Sequence, residues 1–452
     1  MMSVRTPASA MRASVCLAGL CLALLIPAAA RADVAMLSAP RDTPISAYKG
    51  TLAWSEWDTV KQQYRLVLTT VKSGKATKPS IGLRKSPFDV TLGPDANGKT
   101  VALYSRCSKS DGTKCDAYRY DLAKKKESKL DFSRSDRDEA WPSQWEGRYA
   151  WVEQRGKGDD PNDFKDGNCD APMTRGTSST SPVKELSKGT CGTVTGQALR
   201  KSTIVQTVTW ADDVTRNFSE LRQLSVKGGS AKRLARLTAT QGADIYSAPL
   251  LDDEFFYAVR IGSATAPRFV RIERSTGKMQ LIEALTPLAG RLARDGGTSF
   301  YLEQQVGDPG APGVPCATFR PCRLVRADPS VFGSGERRLA PRLTFQAPPS
   351  PIPGDQPLSL SGSLTQPVVR QGVLVRSEPL AGVTLEGLQA SDLNNANGEN
   401  LRATGRTAVT GADGTWALTV PPPVPADGYY AAITRSLPVA AQSPVVELRA
   451  TH

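Results

Sequence analysis

The feature that most constrains the fold is a strand-like segment that recurs six times along the chain. Each copy tends to alternate apolar and polar residues, and successive copies begin 49 to 54 residues apart. A period near fifty residues built only from strands is typical of a β-propeller, in which each repeat forms one blade. We therefore predict an all-β fold with a six-bladed β-propeller. The segments begin at Tyr64, Asp116, Asp170, Ser219, Arg268 and Cys322.

Each repeat is expected to contribute four strands. The recurring segment is the third strand, and an apolar or aromatic run, as at residues 148–152, precedes it as the second. Short charged runs follow as the fourth, as in Lys232–Leu237 and Glu336–Leu339. Charge on an outer strand keeps a sheet from pairing with other molecules. These units predict a propeller over residues 33–340.

One turn in the second repeat links the chain to a known family. The run from Gly93 to Tyr104 places Pro94-Asp95 and Gly98-Lys99 before an aliphatic and aromatic strand. It resembles the turn of the TolB-like six-bladed propellers, here lengthened by two residues. The resemblance covers residues 44–340 and implies the same ring of blades. TolB carries a further domain before its propeller, so its cell-envelope partners are not expected here.

A second all-β domain is predicted after the propeller. Residues 341–357 are rich in proline, which cannot continue a β-ladder, and form a linker. Strand-like runs follow over residues 358–452, with a hairpin turn at 412–414. The runs Pro379–Val383, Thr410–Trp416 and Gly428–Ala432 resemble bacterial Ig-like or carboxypeptidase-regulatory-like β-sandwiches. The resemblance implies a spacer or an adhesion module.

The N-terminus predicts export. Residues 1–32 combine two early arginines, a short apolar run and the cleavage motif Ala30-Arg31-Ala32, as in a signal peptide. Cleavage after Ala32 would give a mature chain beginning at Asp33, in the periplasm or outside the cell. No later apolar run has the length of a transmembrane anchor. Without the three leader arginines the formal charge falls from +13 to +10. We do not expect a nucleic-acid partner for an exported chain.

Cysteine use agrees with an oxidising compartment. Six cysteines follow the leader, and three of them lie at or just before the recurring strand in different repeats. Each of these three has one near neighbour in sequence. A zinc site is the alternative, but no Cys-x-x-Cys pair is present and the only histidine is His452. The predicted disulfides are Cys107–Cys115, Cys169–Cys191 and Cys316–Cys322.

Metal binding is considered at one acidic loop. Asp159, Asp160, Asp163 and Asp166 lie close together in the third repeat, and oxygen-only ligands suit Ca²⁺. Their spacing does not match an EF-hand, so a hydrated insertion is the alternative. No other cofactor is expected.

Tryptophans are the candidate ligand-binding residues. Trp54, Trp57, Trp141 and Trp145 fall in the first three repeats. They either pack between blades or line the mouth of the propeller, where aromatic rings stack on sugars or peptides.

Function is the least determined property. With one terminal histidine, the common Ser-His-Asp and Cys-His nucleophile systems are excluded, and no catalytic residue is assigned. We predict a secreted, monomeric, non-catalytic binding or scaffold protein, whose partner is a protein, a peptide or a cell-wall polysaccharide. The alternatives are a Ca²⁺-dependent lactonase-like hydrolase, a carboxylate-based glycosidase, or a structural cell-surface spacer.

Overall fold

The computed structural model describes residues 34–451 with internal gaps. The gaps are 40–42, 108–113, 135–136, 155–169, 188–191, 212–216, 239–244, 262–267, 286–288, 305–321, 347, 349–351, 391–401, 423–426, 435–436 and 438–445.

Six four-stranded antiparallel sheets form the blades, and the second strand of each is strongly apolar. Strand β1 (Val34–Ala39) comes first. Blade 1 contains β2 (Ile45–Tyr48), β3 (Thr51–Asp58), β4 (Gln63–Thr70) and β5 (Ala76–Thr77); blade 2 contains β6 (Thr91–Pro94), β7 (Thr100–Cys107), β8 (Cys115–Asp121) and β9 (Lys126–Lys129); blade 3 contains β10 (Asp138–Trp145), β11 (Arg148–Gln154), β12 (Ala171–Gly176) and β13 (Lys184–Glu185).

The second half of the ring repeats this order. Blade 4 contains β14 (Thr193–Arg200), β15 (Thr203–Ala211), β16 (Asn217–Ser225) and β17 (Lys232–Thr238); blade 5 contains β18 (Ile245–Leu251), β19 (Phe255–Ile261), β20 (Arg268–Glu273) and β21 (Met279–Leu281); blade 6 contains β22 (Ala289–Asp295), β23 (Thr298–Gln304) and β24 (Cys322–Arg326), with β1 as its outer strand.

The predicted repeat register is confirmed. The six recurring segments are the third strands of the six blades, each paired on one side with an apolar second strand. Apolar side chains from neighbouring blades share clusters, as where Leu52 and Trp54 of blade 1 meet Phe300 and Leu302 of blade 6. Burial between blades is what holds such a ring together.

The ring closes through a pairing that the sequence pattern did not predict. Strand β1 pairs antiparallel with β24, so the first strand of the chain completes the last blade. The assignment of Glu336–Leu339 as the fourth strand of that blade is therefore wrong. Residues Glu336–Arg338 form β25, which pairs with residues 368–370 of the second domain. A short charged strand carries no local signal that selects one sheet edge over another.

The C-terminal region contains two further five-stranded sheets. A 3-10 helix (Pro329–Phe332) leads into β25 (Glu336–Arg338), β26 (Arg342–Leu343), β27 (Ile352–Pro353), β28 (Leu358–Arg370), β29 (Val373–Pro379), β30 (Thr384–Ala390), β31 (Arg402–Val409), β32 (Thr415–Val420), β33 (Asp427–Thr434) and β34 (Val446–Thr451). The long strand β28 pairs with β25, β26, β29 and β32, while β27, β34, β33, β30 and β31 form the other sheet. A shared core that includes Leu360, Leu385, Trp416 and Tyr430 joins the two sheets as a sandwich.

A hairpin turn of the sandwich contacts the propeller. Gln371 and Gly372 both have positive φ, at 51° and 78°, as a tight two-residue turn requires. The carbonyl oxygen of Gly372 accepts hydrogen bonds from the backbone of Glu283 (2.9 Å) and Ala284 (3.2 Å) in the segment after blade 5. A side chain at Gly372 would also meet the ring of Phe332 at 2.8 Å, so glycine is required here.

One predicted cross-link is confirmed. Cys107 and Cys115 form a disulfide between paired residues at the ends of β7 and β8. The other two predicted pairs include residues outside the described part of the chain. Among the described residues, no helix has the length and apolar composition needed to cross a bilayer.

Candidate functional site

The innermost strands of the six blades enclose a cavity on the propeller axis. Residues of β2, β6, β10, β14, β18 and β22 line it, and its volume is about 200 Å³. Propellers gather side chains from all of their blades around this central channel. The cavity is therefore the place where residues distant in sequence meet.

Bulges shape the wall of the channel. Strands β10, β14, β18 and β22 each break register at a similar point in their pairing with the second strand of the blade. A bulge bends a strand and changes the direction of the side chains that follow. In β10 the bulge places Trp141 at φ 54°, and the backbone N–H of Trp141 donates to Oδ2 of Asp89 at 2.7 Å.

Two glycines allow the inner strands to lie close together. A Cβ on Gly93 would lie 2.1 Å from the carbonyl oxygen of Gln144 in the next blade. One on Gly196 would lie 2.6 Å from Cδ of Pro249, also in the next blade. These contacts are too short for any larger residue, so the narrow channel depends on both glycines.

Three buried polar atoms on the channel wall have no hydrogen-bond partner in the described structure. They are Oε1 of Gln144, Nε1 of Trp145 and Nε2 of Gln197. Both glutamines are almost fully buried, and each forms a hydrogen bond with its other amide atom. Leaving a buried polar group unpaired costs about 1–3 kcal/mol, so a polar partner for these atoms would stabilise the site.

The two channel carboxylates already have structural roles. Asp89 accepts hydrogen bonds from the backbone of Ser105 and Trp141 and from the Ser105 hydroxyl, and so joins blades 2 and 3. Burial raises its pKa above 3.8, although these hydrogen bonds act in the opposite direction. Asp295 accepts from the backbone N–H groups of Lys49 (2.9 Å) and Gly50 (2.5 Å), which joins blade 6 to blade 1.

Aromatic and cationic groups lie on the channel wall at the ends of three innermost strands. The rings of Tyr48 and Trp145, from blades 1 and 3, meet edge to face with their centroids 5.8 Å apart. The guanidinium of Arg200 lies 4.7 Å from the centre of the Trp145 ring and pairs with Asp253 at 3.0 Å. One face of the Trp145 ring is thus covered by Arg200.

The four predicted tryptophans fall into two groups. Trp54 and Trp57 are buried in the apolar clusters between blades. Trp141 and Trp145 are partly buried and line the channel. Their ligand-binding role stays a prediction.

The sequence pattern did not predict Tyr48, Gln144, Gln197 and Arg200 as residues of the channel. Tyr48 and Arg200 share one local signal, because each is the last residue of an innermost strand, directly before a turn. That position could have been searched in every repeat once the first strands were assigned.

The predicted calcium ligands Asp159, Asp160, Asp163 and Asp166 lie outside the described residues, as do Cys169, Cys191 and Cys316. Within the described part of the chain, no group of three or more histidine, cysteine, aspartate or glutamate residues is arranged to hold a metal ion.

Comparison with known proteins finds similar folds and no related sequence. No protein-family model matches the chain, and no curated protein sequence matches it. Among solved structures, a puromycin-hydrolysing peptidase of Mycobacterium tuberculosis is 11% identical, with a TM-score of 0.41, over 72% of this chain and 58% of that one. The β-propeller domain of the Trilobed protease from Pyrococcus furiosus is 11% identical, with a TM-score of 0.37, over 74% of this chain and 97% of that domain. A structure from an analysis of two prolyl endopeptidases is 12% identical, with a TM-score of 0.34, over 89% of this chain and 55% of that one.

The predicted function is corrected by these comparisons. The similar propellers come mostly from peptidases and other hydrolases, which contradicts a non-catalytic binding or scaffold protein. This chain spans only 58% of the length of the puromycin-hydrolysing peptidase. At such identities the similarity assigns no activity to this chain.

Proposed function

We propose that the central channel binds a small, uncharged molecule rich in hydroxyl groups, about the size of one sugar ring. The observation that carries the proposal is the set of three unpaired buried atoms on Gln144, Trp145 and Gln197. Oε1 of Gln144 needs a hydrogen-bond donor, and the N–H groups of Trp145 and Gln197 need acceptors. A hydroxyl group can act as either, so a polyhydroxylated ligand satisfies all three.

The size and charge of the channel narrow the class of ligand. A cavity of about 200 Å³ has room for roughly seven water molecules at the volume that each occupies in the liquid. Several charged groups on the wall have opposite charges or backbone N–H groups as partners: Arg200 pairs with Asp253, Arg294 lies 3.5 Å from Asp252, and Asp295 accepts from Lys49 and Gly50. A charged ligand would therefore find no free counter-charge among these groups, and a neutral one is favoured.

Titration calorimetry with neutral monosaccharides tests the proposal. Trp145→Phe removes one N–H and keeps most of the ring, so we expect it to weaken binding about three- to tenfold. Trp416→Phe is the matched control, because it removes another unpaired buried indole N–H, in the sandwich. Equal effects of the two substitutions, or no binding of any neutral sugar, would refute the proposal. Release of a cleaved product from a glycoside in the same samples would identify the ligand as a substrate.

We also propose export with cleavage after Ala32. Strand β1 begins at Val34, so this cleavage keeps the whole closing strand in the mature chain. The disulfide between Cys107 and Cys115 needs an oxidising compartment, which supports the same conclusion.

Membership of the TolB-like group, and an Ig-like origin for the sandwich, are further proposals. The family-like turn supports the first, because Asn97 and Lys99 donate backbone hydrogen bonds to Oδ1 of Asp95 and join β6 to β7. An experimental structure of the mature chain would test both assignments.

A further inference from the structure

A second candidate site lies away from the channel, at the outer edge of blade 4. Arg222 of β16 and Arg233 and Arg236 of β17 surround the carboxylate of Glu220. A groove of about 580 Å³ lies against them, and Ser187 and Ser230 are also part of its wall. The groove is therefore both basic and rich in small polar groups.

A bulge brings the arginines together. Residues 233 and 236 would point to opposite faces of a regular strand, because side chains alternate. The pairing shifts register between Leu221 and Arg222, so that Glu220 lies opposite Arg236 and Arg222 lies opposite Arg233. The irregular pairing thus gathers three positive charges at one place on the sheet.

Two of the three arginines, Arg222 and Arg236, are held in position before any ligand arrives. The guanidinium of Arg222 lies 4.4 Å from the ring centre of Trp210, and that of Arg236 lies 4.1 Å from the ring centre of Phe218. The two rings stack with their centroids 4.6 Å apart. Such preorganisation lowers the entropy that a ligand must overcome on binding.

Glu220 neutralises only part of this charge. Its carboxylate accepts from Nε of Arg222 at 2.6 Å and from Nε of Arg236 at 2.7 Å, while Nη1 of Arg233 lies 3.8 Å away. Burial opposes ionisation of Glu220, but the two arginine hydrogen bonds outweigh it and hold its pKa below 4.5. Among these four described side chains, one carboxylate and three guanidinium groups leave a net charge of +2.

We propose that this groove binds an oxyanion, a carboxylate or a phosphate group, carried on a molecule about the size of a monosaccharide. Planar guanidinium groups bind both kinds of oxyanion through paired N–H donors. The side chain of Arg233 is 59% exposed and, among the described residues, makes only the long contact with Glu220, so its N–H groups are the most available. The volume of the groove exceeds that of a single ion, and the serine hydroxyls suit the polar remainder of a ligand.

The experiment is titration calorimetry of the mature protein with galacturonate, glycerol 3-phosphate and inorganic phosphate, and with glycerol as the neutral control. We expect both organic anions to bind, inorganic phosphate to bind more weakly, and glycerol not to bind. Arg233→Gln should weaken anion binding about tenfold, the loss expected when one charged hydrogen bond is removed. The matched control is Arg338→Gln, since the Arg338 side chain is 62% exposed and pairs with Glu378 in the sandwich.

Two further variants complete the test. A folded Glu220→Gln should bind anions more tightly, because it removes the competing carboxylate, and Trp145→Phe should leave anion binding unchanged. Failure of all three anions to bind would overturn the proposal. So would equal losses in Arg233→Gln and Arg338→Gln, or unchanged or weaker binding by Glu220→Gln. An anion response lost in Trp145→Phe would move the site to the channel and also refute the groove.

Discussion

Replacing Glu139 with glutamine should remove a large part of the pH dependence of propeller stability. Glu139 is 2% exposed at the start of β10, near blade 2. Its oxygens accept hydrogen bonds from the Ser133 hydroxyl (2.6 Å) and the Arg134 backbone (3.0 Å). Burial nevertheless raises its pKa from 4.5 to about 7, and the nearby Asp116 adds to the rise.

The direction and the size of the change in unfolding free energy with pH follow from this raised pKa. The folded protein holds a proton that the unfolded chain releases between about pH 4.5 and pH 7. The stability from this proton is complete below the unfolded value and is lost as the pH rises through the folded value. At 1.36 kcal/mol per pKa unit, the free energy of unfolding should fall by about 2.5 kcal/mol between pH 5 and pH 8 from Glu139 alone.

Urea unfolding followed by tryptophan fluorescence at pH 5 and pH 8 measures the effect. Glutamine keeps the shape of the side chain and can donate to Ser133, which also lies 3.2 Å from Asp116. The pH 5 to pH 8 difference should therefore be about 2.5 kcal/mol smaller in Glu139→Gln than in the wild type. Glu254→Gln, at an exposed turn, is the control and should behave as the wild type. An unchanged pH dependence in Glu139→Gln would show that the buried group is not the one that titrates.

Three further predictions concern the processing and the stability of the protein. The mature protein should begin at Asp33, and an intact mass that includes residues 1–32 would contradict this. Replacing Cys107 and Cys115 with serine should lower the free energy of unfolding by about 2.5 kcal/mol, because the disulfide closes a loop of eight residues; a midpoint in urea equal to that of the wild type would refute it. Gly93→Ala should cost about 1–3 kcal/mol or more, since its Cβ meets the backbone of Gln144; thermal unfolding measures this, and an unchanged Tm would disprove the close approach.

The strands of the propeller could be predicted because their signals are local. Alternation and apolar runs depend on neighbouring residues, and they located the second and third strands of every blade. In the sandwich, the hairpin predicted at 412–414 is wrong, because β31 before this turn pairs with β30 and β32 after it pairs with β28. Of the two outer strands named from the sequence, Lys232–Leu237 is confirmed as part of β17, whereas Glu336–Arg338 pairs with the second domain.

The candidate sites needed the folded chain. Trp141 and Trp145 could be named from the sequence, but their place on the channel wall depends on the bulge in β10. Gln144 and Gln197 carry no motif, and only the folded chain buries them beside the channel. The arginine groove likewise depends on a register shift between β16 and β17.

The sequence by itself determined the number of blades, the order of their strands and the partner of Cys107, because each depends on a repeated or short-range pattern. Only the tertiary structure decided that β1 closes the ring against β24, nearly three hundred residues later in the chain. It also decided which polar side chains meet on the axis. Those outcomes depend on how six twisted sheets fill the space around one centre, and a one-dimensional pattern does not contain that packing.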